Sequence, residues 1–264
     1  MVVIALKLTQ AGVGDYWDDM DRWTRNMYAE GQMTNADFVE RIPEELLSPP
    51  PSAPYVDDKD IAPRSVGAFW GWMRPNDGLC VAPSAEGKRK LKSPSIMHCC
   101  TANGARTLYY VWDSILTDDG DTTHVNLLLN RASPWLDVES YLPVEGRVVL
   151  RSKREQRVVA RMPGWVNPSE VRITGGGAGA PAGRDGQELD LGRLAPGATV
   201  SLTFPVPERT FFRLIFNAPY KLTMRGANVV AIEPRGEARP LYAQQPTGRP
   251  VTKRRFIPSK RVLW

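Results

Sequence analysis

The residues best suited to chemistry lie in one stretch, SPSIMHCCTANGARTLYYVWDSIL, from Ser93 to Leu116. A turn containing Pro94 leads to His98 and two adjacent cysteines, Cys99 and Cys100, and then to a helical pattern. Leu108, Val111, Trp112 and Ile115 recur at helical spacing and predict one apolar face. Thr101 or Asn103 is expected to cap that helix, because a short side-chain oxygen can take an otherwise unpaired amide at its start. The cysteines then sit at or just before the first turn. There the aligned peptide dipoles favour negative charge, and a thiol gives up its proton more readily. A thiolate can act as a nucleophile or as a zinc ligand, and His98 beside it can ligate zinc or exchange a proton with the thiol. Two plainer readings use the same residues. Cysteine is among the residues most often fully buried, and neighbouring cysteines can close a strained disulfide.

A second group of candidates precedes the pair. The segment GAFWGWMRPNDG (67–78) brings Phe69, Trp70, Trp72 and Arg74 close together, followed by Asn76 and Asp77. Trp70 and Trp72 suit a sugar, whose C–H faces stack on rings while its hydroxyls meet polar groups. The alternative is that they fasten a long loop onto the body. Glu30, in AEGQM, is a candidate substrate-contacting carboxylate or else a capping or surface residue.

The run HCCTANGAR followed by an aromatic helix resembles the CC-P-P-N-x-A-R segment of the cysteine-dependent β-L-arabinofuranosidases, glycoside hydrolase family 127 and its uncharacterised relatives. Cys99, Cys100, Asn103, Ala105 and Arg106 match, while Thr101 and Ala102 stand where that segment has prolines. HVNLLLNRASPW (124–135), RMPGWV (161–166) and RFIPSKRVLW (255–264) extend the resemblance in the same order. It implies a retaining glycosidase in which Cys99 is the nucleophile and a Zn2+ ligand, with Cys100 a second ligand. The remaining zinc ligands would be a Glu and a Cys from an E-x-C motif, and the general acid/base a Glu. This sequence contains no E-x-C, and the family places both features upstream. On that ground the chain is expected to be the C-terminal part of a longer enzyme, with a carbohydrate as its substrate.

Composition agrees with a globular protein: 264 residues, 42% hydrophobic and 24% charged. Three cysteines make no disulfide framework, and Cys80 reads as a small buried residue. The formal charge of +5 gathers partly near the end of the chain, at Arg249, Lys253, Arg254, Arg255, Lys260 and Arg261. Without aromatic interleaving or a binding motif, this predicts a solvated tail and no nucleic-acid partner. No apolar run reaches the length of a membrane span, and MVVIALKLTQ lacks the features of a signal peptide. Localisation and oligomeric state stay open. The glycine-rich TGGGAGAPAG (174–183) has no following helix, which makes it a hairpin loop and not a phosphate cradle.

The elements that must position the cysteines follow from periodicity. Met1–Gln10 predicts a buried helix, broken by AGVGD. A second helix spans about Tyr16–Glu30, with Trp17, Met20, Trp23, Thr24, Met27 and Tyr28 on a broad inner face. Two helices joined by a Gly-containing turn are the repeating unit of an α/α barrel, and one such hairpin cannot bury both its faces alone. After Thr117, segments of five to eight residues with β-branched or alternating character predict strands from about Thr122 to Pro207, at Thr210–Phe216 and at Asn228–Glu233. The expected fold is α+β and multidomain: the C-terminal part of an (α/α)6 barrel over 1–121, a jelly-roll-type β-sandwich over 122–238, and an extended tail over 239–264. Two rival functions stay open, a non-catalytic carbohydrate-binding module and a structural metal site at the cysteine pair.

Overall fold

The computed structural model describes residues 1–37, 59–71, 75, 81–83, 89–91, 98–176, 183–215, 217–236 and 241–242. It is an α+β protein, rich in sheet and with few helices. Helix α1 (Val2–Gln10) buries Val2, Ala5 and Leu6, the spacing of one helical face. Gly12 ends it at φ +71, a left-handed conformation that glycine adopts without strain. Helix α2 (Trp17–Trp23) begins where Asp15 Oδ1 accepts the Trp17 amide at 3.0 Å. It continues through a π-helical turn, Thr24–Tyr28, into α3 (Ala29–Gly31).

That π turn corrects the predicted inner face. A wider turn carries an extra residue and rotates the positions after it. Asn26 therefore takes the buried place, and Met27 is left 50% exposed. Asn26 uses its position well: its Nδ2 donates to Ala227 O at 2.8 Å, and its Oδ1 accepts the Val229 amide at 2.7 Å. Both groups border β14 (Asn228–Glu233), so the helical stretch is pinned to a sheet far along the chain.

Short α4 (Ile61–Arg64), β1 (Val81–Pro83) and β2 (Arg89–Leu91) precede the long α5 (His98–Ser114). Strands β3 (Leu116–Asp118), β4 (Thr122–Val125), β7 (Gln156–Arg161), β10 (Glu188–Leu194) and β9 (Gly183–Asp185) form a five-stranded sheet in that order. Strands β5 (Leu136–Ser140), β6 (Arg147–Ser152), β11 (Thr199–Thr203) and β8 (Arg172–Gly175) form a four-stranded one. The inward residues of both sheets join α1, α2 and α5 in one apolar cluster. β12 (Glu208–Ile215), β13 (Ala218–Arg225) and β14 make a third, antiparallel sheet. β8 and β9 belong to different sheets, so the glycine-rich segment between them joins two sheets and does not close a hairpin.

Two buried arginines tie helices to sheets. Arg161, at the end of β7, reaches Asp15 at 3.0 Å and Asp18 at 2.8 Å, and Asp18 Oδ2 also accepts the Gly164 amide. The run RMPGWV thus clamps the start of α2. Arg131, only 6% exposed, reaches back to the end of α5. Its Nη1 donates to the Asp113 and Leu116 carbonyls, and its guanidinium lies 4.5 Å from the centre of the Trp112 ring. Trp112 is 43% exposed and so lies outside the predicted apolar face, whose Val111 and Ile115 are buried.

One buried polar network carries a pH signature. Thr123 Oγ1 stands 2.7 Å from both Asp118 Oδ2 and Gln156 Oε1, and Arg154 pairs with the same Asp118 oxygen. Burial works against the Asp118 carboxylate, but hydrogen bonds from Thr123, Arg154 and the Gly120 amide outweigh it and hold the carboxyl below its usual range. A depressed carboxyl stabilises the fold above its unfolded pKa of about 3.9, and that contribution is lost as pH falls through the lower folded value. Asp118→Asn is expected to destabilise the protein by about 2 kcal/mol at neutral pH. The difference from wild type should shrink below about pH 4. Denaturant melts at both pH values measure it.

Candidate active site

Helix α5 begins at His98, so Cys99 and Cys100 lie within its first turn. The expected cap is corrected here, because Thr101 and Asn103 are already inside the helix. Asn103 instead turns back, its Nδ2 donating to the Cys99 carbonyl at 2.8 Å, while Arg106 donates to its Oδ1 at 2.6 Å. Such back-bonding is a common use of short polar side chains within helices. The motif residues Asn103 and Arg106 thereby brace the backbone that carries Cys99.

The opposite, inward face of the same helix meets the Phe69–Trp70 segment. Thr101 Oγ1 lies 3.3 Å from both the amide and the carbonyl of Phe69. A side-chain carbon at Gly104 would stand 2.6 Å from Phe69 Cγ, so the glycine makes room for that ring. Phe69 also meets Tyr28 edge to face, with centroids 6.4 Å apart. Backbone bonds from Met33 to Ala68, from Gly67 to Met33 and from Trp70 to Gly31 sew this segment to the end of α3. Trp70 is 6% exposed: it fastens the loop down and does not present a face to solvent. Glu30, one residue from that seam, accepts the Tyr242 amide on Oε2 at 3.0 Å. Burial and the Glu30 charge push the Tyr242 hydroxyl up to about 12. Trp72 lies outside the described residues, and of His98 only its place at the start of α5 is described.

The cysteine sulfurs are 3.8 Å apart, well beyond the roughly 2.05 Å of a disulfide. Cys99 is exposed and Cys100 half-buried. Burial, the hydrogen bond with Cys99 and the charge of Cys99 all raise the Cys100 thiol. The direction at Cys100 is opposite to the easing of ionisation expected from the helix start. Two sulfurs on one tetrahedral zinc, each at about 2.3 Å, stand about 3.8 Å apart. The separation of the pair matches that of two corners of such a site. Among the described residues, no group of three or more His, Cys, Asp or Glu gathers to complete one. Nor is any helix among them long and apolar enough to cross a membrane.

No family model matches the chain, and no curated protein matches it. Solved structures give partial likenesses. A GH127 β-arabinofuranosidase is 18% identical over 53% of this chain and 27% of its own, with a TM-score of 0.41. A GH127 β-L-arabinofuranosidase from Geobacillus stearothermophilus T6 is 21% identical over 56% of this chain and 25% of its own, with a TM-score of 0.39. A protein described as a glycoside hydrolase is 19% identical over 50% and 25%, again with a TM-score of 0.39. The matched parts are about a quarter of those chains, and at such TM-scores the likeness carries no argument about chemistry.

Proposed function

We propose that this chain carries the cysteine pair of a retaining glycoside hydrolase acting on a β-L-arabinofuranoside-like bond. The observation that supports this most is the pair itself: two free sulfurs 3.8 Å apart in the first turn of a seventeen-residue helix, one of them exposed. In this reading Cys99 Sγ attacks the anomeric carbon as the glycosidic C–O bond breaks, and water later releases the sugar. Dividing one difficult displacement into two easier ones is the usual gain of a covalent nucleophile. It replaces the nucleophilic carboxylate of the common glycosidase pair. Asn103 and Arg106 hold the Cys99 backbone in place, and Cys100 supplies the second sulfur. Zinc, when bound by both cysteines, would keep the thiolate deprotonated near neutral pH. The proton for the leaving oxygen and the remaining ligands would come from other parts of the full-length polypeptide.

Zinc titration of the reduced full-length protein against a competing chelator tests the ligand assignment. Cys99→Ser and Cys100→Ser are each expected to weaken zinc at least about tenfold. Equal affinity in wild type and both variants would remove the cysteines from the metal site.

A further inference from the structure

A second site lies at the opposite end of α5. Between the α1–α2 turn and the start of β10, a cleft of about 360 Å³ is lined by Asp15, Trp17, Asn126, Arg161, Gln187 and Glu188. That size falls within the range of about 300–1,000 Å³ found for small-ligand pockets. Asn126 is bonded to the Ser114 carbonyl, at the last residue of the helix whose first turn holds the cysteines. The helix from Cys99 to Ser114 separates the two places by about 22 Å.

We infer that this cleft binds a neutral saccharide unit, apart from the cysteine pair. Sugar recognition needs an apolar ring for the C–H face and a mixture of donors and acceptors for hydroxyls. Trp17 is half-buried, packed on the core while also lining the cleft. Gln187 and Glu188 are exposed, and among the described residues neither side chain has a hydrogen-bond partner, so an amide and a carboxylate line the cleft. Asn126 uses its amide hydrogens on Ser114 O and Thr117 Oγ1, which leaves Oδ1 as an acceptor. The charges decide the ligand class. Arg161 is more than matched by Asp15 and Asp18, and Glu188 adds a further negative charge, so the cleft disfavours uronates and phosphates. The inference does not depend on the cysteine chemistry.

Saturation-transfer NMR and titration calorimetry on the full chain, with neutral arabino-, xylo- and cello-oligosaccharides as probes, test it. Trp17→Ala can fail to fold because Trp17 packs on the core, so the variant of choice is Gln187→Ala/Glu188→Ala, which alters exposed side chains only. Wild type and Cys99→Ala are expected to bind one of these probes equally, and the double variant at least tenfold more weakly with an unchanged melting temperature. Binding lost in Cys99→Ala but kept in the double variant would overturn the site, as would no binding of any probe to wild type. Because Cys99→Ala is the control, this result is separate from the fate of the hydrolase proposal.

Discussion

Cys99→Ser in the full-length polypeptide is expected to lower kcat/KM for an activated arabinofuranoside by about 10³-fold or more, the scale at which nucleophile removal acts in covalent hydrolases. A serine hydroxyl ionises far above neutral pH and is a poor zinc ligand, so the variant loses attacking power and one metal corner together. The same change should leave the fold almost untouched. Cys99 is exposed, and its contact with the Asn103 amide uses the backbone carbonyl, which serine retains. Stability within about 0.5 kcal/mol of wild type is the companion expectation. Retained turnover in a normally folded Cys99→Ser would show that the pair is not the nucleophilic site.

The largest effect on stability is expected from Arg131→Met. The last carbonyls of a helix have no partner within it, and here Arg131 supplies one for Asp113, and another for Leu116 at the start of β3. Burial lowers the basicity of Arg131, while Asp113 and Tyr109 act the other way. Methionine fills part of the volume but leaves two carbonyls without that donor and removes the stacking on Trp112. A loss of about 2–4 kcal/mol follows from leaving two carbonyls without a donor, at about 1–3 kcal/mol each, against a typical total of about 5–15 kcal/mol. Denaturant midpoints measure it, and a loss below about 1 kcal/mol would mean that Arg131 does not anchor α5. The anchor matters for chemistry, because the helix held at its end by Arg131 presents the cysteines at its start.

Those two arginines show what the sequence could and could not disclose. NRASPW and RMPGWV stood out as motifs, yet each arginine sits in or beside a strand-like run where a solvent-facing charge is the ordinary expectation. Only the tertiary partners, Asp113 and Leu116 for one and Asp15 and Asp18 for the other, reveal buried ties. Strands β6, β7, β10 and β11 were legible because their residues alternate or are β-branched and glycine or proline ends them. β5 was not, since LDVES has apolar side chains only at Leu136 and Val138, both buried. β13 was not read either: APYKLTMR mixes Lys221 and Arg225 into a strand with no alternation, nearly all of whose residues are half-buried. HVNLLLN forms a strand only to Val125, because Asn126 leaves the ladder to bond Ser114 and Thr117. The π turn left no sequence signal at all.

At the candidate site, residue types were readable and their division of labour was not. Cys99 and Cys100 were placed in the first turn by the helical pattern that follows them. That Asn103 would brace Cys99 and not cap the helix required knowing that the helix starts at His98. That Gly104 clears space for Phe69 required knowing which loop lies on it. The cleft at Gln187 and Glu188 joins residues far apart in the chain, and no local pattern marks it.

The most direct test of the central claim is to look for the sugar on the sulfur. Rapid acid quenching of the full-length enzyme during turnover of an activated arabinofuranoside, followed by peptide mass mapping, should find one pentosyl unit on the peptide bearing Cys99. The unit should be absent when Cys99 is replaced by alanine. A pentosyl unit on a carboxylate side chain, or undiminished turnover in Cys99→Ala, would contradict the account.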